Sequence, residues 1–237
     1  MELLLPQGKL ILSRGKLPLA GLVAGGRGPD PNWLLAAMRD LPLYGADKGV
    51  EYCVRAGLYP VLACGDRDSG HAGSWEKIKA HGTKVMTYLV NKDATDLSLL
   101  LKEMPPVGTL LASGVWGGRA DHLYANFLTL LQYQKRTKTP VVLLDEWEML
   151  VFLEKGDRLS FEAQKLPKAL SLLPFSPVCE VSIDGVRWPL EHDVISSENP
   201  YAVSNKMAGR KTQASCHAGI AGFYPVSYTH LRAHETE

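Results

Sequence analysis

Aspartates recur along the first half of this chain at the points where apolar runs stop. Asp47 follows Tyr44-Gly-Ala46, and Asp66 and Asp68 follow Leu62-Ala-Cys64-Gly65. Asp93 and Asp96 follow Tyr88-Leu-Val90, while Arg119 and Asp121 follow Ser113 through the loop 114–118. If the apolar runs are parallel strands, their ends share the sheet edge where open α/β folds bind ligands, and about five carboxylates meet in one crevice. Two unit charges ~5 Å apart at an effective dielectric of ~20 repel by on the order of 3 kcal/mol, so the cluster needs a counter-charge. Carboxylates at this density favour a hard divalent cation, and Mg²⁺ with a phosphate substrate is the usual pairing. Gly25, Gly26, Gly65, Gly117 and Gly118 fall on the same predicted edge, where backbone N–H groups could approach phosphate oxygens closely.

Each of these residues also has a purely structural reading. Asp93-Ala-Thr-Asp96 fits a helix N-cap with an acid at the third helical position. Asp47 could open a helix over 48–56, and Asp66 and Asp68 could serve only a turn over 65–70. Arg119 and Asp121 could form a surface ion pair, and His122 reads as a structural helix residue. The coincidence of acids at successive strand ends favours a shared site over these separate roles.

The elements that must position these residues are legible as alternation. Leu19–Ala24 is a continuous apolar run that ends in Gly25-Gly26, the pattern of a buried parallel strand. Asp30-Pro31 supplies an N-cap and a first-turn proline for a helix through about Arg39. Further strands are predicted at 43–46, 60–64, 85–90 and 109–113, with helices at 48–56, 74–81, 95–104 and about 120–135. Strands alternating with helices of this length predict a mostly parallel sheet with helices on both faces.

From Thr139 on, the chain reads as short strands separated by turn signals: 141–145, 150–154, 158–162, 169–173, 178–183, 186–190 and 213–217. That pattern predicts a β-sandwich or barrel. The polar stretch Gln134–Thr139 is the natural boundary. The expected division is an α/β catalytic domain over 1–137, an all-β sandwich over 138–225, and a tail over 226–237. The tail resembles translated sequencing-adapter read-through and is expected to be foreign to the protein.

Composition narrows the function classes. Apolar residues make up 46% and charged residues 22%, which excludes a disordered, collagen-like or coiled-coil chain. The net charge of +1 offers no basic excess for a run of phosphates, so nucleic acid is an unlikely partner. No apolar run approaches the ~20 residues that span a bilayer, and the N-terminal run, cut by Pro6, lacks the basic start of a signal peptide. The four cysteines form no Cys-x-x-Cys pair and are expected to be reduced, buried thiols of a cytoplasmic protein. The chain has no Walker-type phosphate loop, no dinucleotide fingerprint, no nucleophile elbow and no His-Glu-x-x-His zinc motif.

Eight segments, in order, resemble the thiamine pyrophosphokinase family, bacterial type. They are Val23-Ala-Gly-Gly26, Ala46-Asp-Lys-Gly49, Gly65-Asp-Arg-Asp-Ser69, Lys92-Asp-Ala-Thr-Asp96, Gly117-Gly-Arg-Ala-Asp-His122 with Asn126, Ser171-Leu-Leu-Pro-Phe-Ser176, Asp184-Gly-Val-Arg-Trp-Pro-Leu190 and Ser204-Asn205. The resemblance spans roughly residues 20–222. It implies transfer of pyrophosphate from ATP to thiamine by a homodimer with an α/β domain and a β-sandwich domain. It further implies that Asp47, Asp66, Asp68 and Asp96 hold Mg²⁺ and the transferred group. Gly25, Gly26, Lys92, Thr95, Gly117, Gly118, Arg119 and Asp121 would meet ATP or its phosphates, and Ser204 and Asn205 would approach thiamine. Arg67 departs from the family, which usually has Phe there. The acid cluster by itself does not specify the acceptor. A pyrophosphokinase for another heterocyclic alcohol, such as a pterin, or a non-catalytic nucleotide- or thiamine-binding homologue, are the alternatives.

Overall fold

The computed structural model describes residues 1–65, 72–87 and 95–227. These form two compact units. One is Gly15–Glu146, and the other joins Met1–Arg14 to the chain from Trp147 on.

The first unit is an open parallel sheet. Its strands are β3 (Leu19–Val23), β4 (Leu43–Ala46), β5 (Leu62–Cys64), β6 (Lys84–Met86), β7 (Thr109–Ser113) and β8 (Val141–Leu144). They lie in the order β8-β7-β3-β4-β5-β6, and every pairing within this set is parallel. The chain runs outward from β3 to β6 and then returns to the other side of β3 with β7. The strand order therefore reverses between β3 and β7, the switch point at which such sheets open a crevice. The helices are α1 (Pro31–Met38), α2 (Gly49–Arg55), α3 (Ala72–Ala80), α4 (Asp96–Glu103) and α5 (Ala120–Thr137). Asp30 caps α1 as the sequence predicts, accepting from the N–H groups of Asn32 at 2.9 Å and Trp33 at 3.0 Å, with Pro31 in the first turn. Val50 of α2, Ala63 of β5, and Trp75 and Ile78 of α3 share one buried cluster, which fixes the second and third helices beside β5.

The second unit consists of two antiparallel sheets. Its strands are β1 (Glu2–Leu5), β2 (Gly8–Leu12), β9 (Met149–Glu154), β10 (Arg158–Ala163), β11 (Ala169–Pro174), β12 (Val178–Asp184), β13 (Leu190–Ser196), β14 (Lys211–Ala218) and β15 (Ile220–Val226). One sheet has the order β1-β2-β10-β14-β12-β13, and in the other β15 lies between β11 and β9. Phe161 of the first meets Phe223 of the second edge to face, with ring centroids 6.1 Å apart. The fold class is thus the expected one, an N-terminal α/β unit with a C-terminal β-rich unit.

The division between units differs from the 1–137 and 138–225 reading in two places. Residues 1–12 form a hairpin that pairs with β10 and belongs to the β unit. Leu3, Leu5, Leu10 and Leu12 are buried while Glu2, Leu4 and Ile11 face out, a period of two on either side of the Pro6–Gly8 turn. Arg14 locks the end of the hairpin, its Nε 2.5 Å from Asp157 Oδ1. The segment 141–145, read as the first strand of the β domain, pairs parallel to β7 instead and closes the α/β unit. All four residues of β8 are buried, the pattern of a strand covered on both faces.

Smaller differences follow the same logic. The strand read over 186–190 is instead β13, which starts at Leu190; Val186 forms only an isolated bridge with Met207. β13 is an edge strand with a bulge opposite Val181–Ile183, and its polar sequence carries little periodic signal. β15 takes in Pro225 and Val226, and Val226 stands in register with Ala169, so the strand runs one residue into the segment read as a tail. Residues 228–237 lie outside the described residues.

All four cysteines are buried and unbridged. Burial pushes the Cys53 thiol up to about 12 and the Cys216 thiol up to about 11, far from the range in which thiolate forms at neutral pH. Native protein at pH 8 is therefore expected to react slowly with a thiol-specific disulfide reagent, and to release four equivalents of product only after unfolding in guanidinium. Rapid native labelling of two or more thiols would contradict the packing.

Candidate active site

A crevice lies on the switch-point edge of the α/β unit. It encloses about 750 Å³ and is lined by the ends of three parallel strands and the starts of two helices. Gly25 and Gly26 enter from beyond β3, and Asp47 and Lys48 from beyond β4. Thr95 and Asp96 come from the start of α4. Gly117, Gly118, Arg119 and Asp121 come from the loop after β7 and the first turn of α5. These are nine of the fourteen residues singled out from the sequence: Gly25, Gly26, Asp47, Thr95, Asp96, Gly117, Gly118, Arg119 and Asp121. Asp66, Asp68 and Lys92 lie outside the described residues, as do Arg67 and Asp93. Ser204 and Asn205 belong to the other unit.

The loop after β3 is held by backbone bonds to the loop after β7 and by the Tyr52 hydroxyl, which donates to Gly26 O at 2.8 Å. Ala24 N–H donates to Ser113 O at 2.8 Å, Gly26 N–H to Gly114 O at 2.7 Å, and Arg27 N–H to Trp116 O. A Cβ on Gly26 would sit 2.5 Å from Trp116 O and 2.7 Å from Gly114 O, so this position admits no side chain. Gly117, at φ +75°, packs the returning loop onto Arg27. A Gly26→Ala variant must push the two loops apart and is expected to lose ~1–3 kcal/mol of stability, the scale of overpacking, readable as an earlier urea midpoint. An unchanged midpoint would show that the two loops part at no cost.

Asp47 does not cap α2. It adopts the left-handed conformation at φ +53°, uncommon for a residue with a side chain, and its N–H donates to Cys64 O at 3.0 Å. Lys48 occupies the cap position without a side-chain bond. The cap of α4 is Thr95, whose Oγ1 accepts from Ser98 N–H at 3.2 Å. Asp96 is thus the first residue of the helix and not an acid at its third position, and it is only partly exposed where it meets the crevice. Its carboxylate sits at a positive helix end.

Arg119 and Asp121 do form an ion pair, bidentate, with Nε to Oδ1 at 3.1 Å and Nη2 to Oδ2 at 2.6 Å. The hydrogen bond from Arg119 holds the Asp121 carboxyl below the usual carboxylate range, helped by the His122 N–H at 3.0 Å. Both side chains remain largely exposed. A fork already set for a carboxylate presents the same donors to a phosphate. Sequence reasoning passed over Asn126, in the second turn of α5, except as part of a motif. It lines the crevice and donates through Nδ2 to Val115 O at 3.1 Å, bracing the glycine loop.

In the β unit, Ser204 and Asn205 make a structural knot. Ser204, at φ +60°, donates through its N–H to Ser171 Oγ at 3.1 Å. The Asn205 carboxamide clasps the backbone of Trp188, accepting from its N–H at 3.2 Å and donating to its C=O at 2.6 Å. The indole of Trp188 is left half exposed, with Arg187 over its ring at 4.8 Å.

The donor chemistry of the crevice suits Mg²⁺. Asp47 and Asp96 offer hard carboxylate oxygens in one cavity, and Mg²⁺ commonly takes one or two carboxylates, substrate phosphates and waters. Among the described residues no three His, Cys, Asp or Glu side chains gather as a metal cage.

The first unit is thus an open parallel α/β sheet whose switch-point crevice is floored by glycine loops and edged by aspartates and an arginine, in a chain that carries a second, β-rich unit. Comparison with known proteins narrows this class. The family model described as thiamin pyrophosphokinase, catalytic domain, matches residues 41–143, and that described as thiamin pyrophosphokinase, vitamin B1 binding domain, matches residues 158–220. Together they span well over half of the chain, and the chain belongs to the thiamin pyrophosphokinase family. A thiamine pyrophosphokinase of Bacillus subtilis (strain 168) is 29% identical over 181 residues, 74% of this chain and 83% of that protein. The solved structure of thiamine pyrophosphokinase from Bacillus subtilis superposes with a TM-score of 0.76 at 26% identity, covering 90% of this chain and 100% of the other. That of thiamin pyrophosphokinase from Geobacillus thermodenitrificans gives 0.71 at 25% identity, covering 90% and 99%.

Proposed function

We propose that the protein transfers a pyrophosphoryl group from ATP to the hydroxyl of thiamine, giving thiamine diphosphate and AMP. The observation that carries this reading is the convergence of Gly25-Gly26, Asp47, Asp96 and Gly117–Asp121 on one switch-point crevice in a chain of this family. The glycine loops offer backbone N–H groups to the phosphates, and Arg119 offers its guanidinium fork. Asp47 and Asp96, with Asp66 and Asp68, would hold Mg²⁺, which when bound neutralises phosphate charge and orients the reacting oxygens. Lys92 and Thr95 would meet the nucleotide.

The reaction asks mainly for positioning and charge neutralisation, which this chain's residues supply without a covalent intermediate. The thiamine oxygen attacks the β-phosphorus in line. A bond forms between them as the bond from the β-phosphorus to the oxygen bridging to the α-phosphorus breaks, and AMP leaves with that oxygen. The hydroxyl proton passes to a carboxylate, Asp68 or Asp96.

The β unit would supply the acceptor site, with Ser204 and Asn205 near thiamine. The direct hold of Asn205 on Trp188 gives that residue a bracing part in the site. We further propose a homodimer located in the cytoplasm, which suits four unbridged thiols. Among the described residues, no helix is long and apolar enough to cross a membrane.

The test is incubation with ATP, Mg²⁺ and thiamine, with nucleotide products separated by chromatography. Thiamine-dependent AMP and thiamine diphosphate are expected. ADP would mean single-phosphoryl transfer and would overturn the mechanism. AMP formed with a hydroxymethylpterin and not with thiamine would reassign the acceptor.

A further inference from the structure

Cys64 has no assigned part in any of this, yet two of the three described acids of the crevice, Asp47 and Asp96, meet at it. It is the last residue of β5 and is fully buried, with its register fixed by Ala46 on one side and Met86 on the other. Its carbonyl accepts the Asp47 N–H at 3.0 Å, which helps hold Asp47 in its left-handed conformation. Its Sγ lies 3.7 Å from Asp96 Oδ1, within reach of an S–H···O bond. One residue thus touches Asp47 through its backbone and Asp96 through its side chain.

We propose that Cys64 is a positioning residue: its thiol orients the Asp96 carboxylate toward the crevice. This rests on the functional reading above, since it concerns the same site. A thiol is a weak donor, and that suits the role. It fixes one carboxylate oxygen without drawing off much of the negative charge that a cation and a phosphate-transfer site require. Burial pins the sulfur, so the carboxylate inherits its placement from the sheet. Misplacement of reacting groups by as little as 1 Å can cost as much as ~10²-fold in rate, so a weak bond at this point has leverage.

Three variants test this. Cys64→Val keeps an apolar side chain, slightly larger and branched, but removes the donor. Cys64→Ser keeps a donor on a shorter arm, and Cys64→Ala removes both. The readouts are the melting temperature, kcat, the KM for thiamine, the dependence on free Mg²⁺ and the infrared S–H stretching band of the native protein. In wild type, one S–H band is expected to be shifted by its carboxylate acceptor. It should vanish in all three variants, and it should move toward the free-thiol position in Asp96→Asn. Cys64→Val should fold with a melting temperature near wild type, lose about 5–10-fold in kcat, the scale of one neutral hydrogen bond, and need more Mg²⁺, with the KM for thiamine unchanged. Cys64→Ser should recover part of that kcat.

Wild-type kcat and Mg²⁺ dependence in Cys64→Val would overturn the proposal, as would an S–H band indifferent to Asp96→Asn. Should Cys64→Val fail to fold, the band shift in Asp96→Asn and the kcat of Cys64→Ser still decide it. Failure of the functional reading looks different: wild type would then make no thiamine-dependent AMP, while the shifted band remained.

Discussion

Asp47→Asn is expected to lower turnover by ~10²–10³-fold, the scale of losing one electrostatic contact at a transition state. The substitution is nearly isosteric and keeps the backbone N–H that donates to Cys64 O. Asn also tolerates the left-handed conformation that Asp47 adopts at φ +53°, so the fold should be spared. What changes is one negative charge at the wall of the crevice. The measurement is steady-state AMP production with saturating thiamine over a range of Mg²⁺ and ATP, beside a thermal melt. A large fall in kcat with an unchanged melt is the expected result, and Asp96→Asn should behave alike. Turnover within a few-fold of wild type in both variants would remove these acids from the site.

The second large effect concerns stability. Arg27 leaves the Gly25–Gly28 loop to pair with Asp145 at the end of β8, and Asp145 is 1% exposed. The adjacent Glu146 carboxyl is pushed up by burial, with Asp145 raising it further and Arg27 opposing that. Arg27→Ala would leave the buried Asp145 without its guanidinium. Breaking a buried ion pair on one side costs about 3–5 kcal/mol, because the remaining charge is left uncompensated. The check is chemical denaturation of wild type, Arg27→Ala and Arg27→Ala/Asp145→Asn. The single variant should lose most, and the double variant should regain part of that loss. A loss below about 1 kcal/mol in the single variant would mean that water already solvates Asp145.

Much of the first unit was legible because its signals are local. Apolar runs of strand length ending in glycine or aspartate marked β3, β4, β5 and β7, and Asp30-Pro31 marked the start of α1. Parallel strands share one edge, so the sequence alone predicts that the acids at their ends meet. Of those acids, Asp47, Asp96 and Asp121 line one crevice, while Asp66, Asp68 and Asp93 lie outside the described residues. Local signals failed where a residue's role depends on its partner. Asp47 and the segment 93–96 each also allowed a helix-cap reading, but the backbone conformation at Asp47 and the cap by Thr95 decide against it.

What only the tertiary structure decided is non-local pairing. Residues 1–12 join a sheet whose other strands begin 146 residues after Leu12, at Arg158, and no local pattern announces a partner so far away. The run 141–144 is equally apolar whether it opens a sandwich or closes a parallel sheet, and its pairing with β7 settles which. Asn205 reads as a ligand contact by motif, while the fold turns its carboxamide onto Trp188. Amino-acid type and spacing set which strands form and which chemistry gathers at their ends, because burial and backbone preference act within a few residues. Which strands pair, and which polar group answers which, is set by contacts between distant segments, and these exist only once the chain has closed on itself.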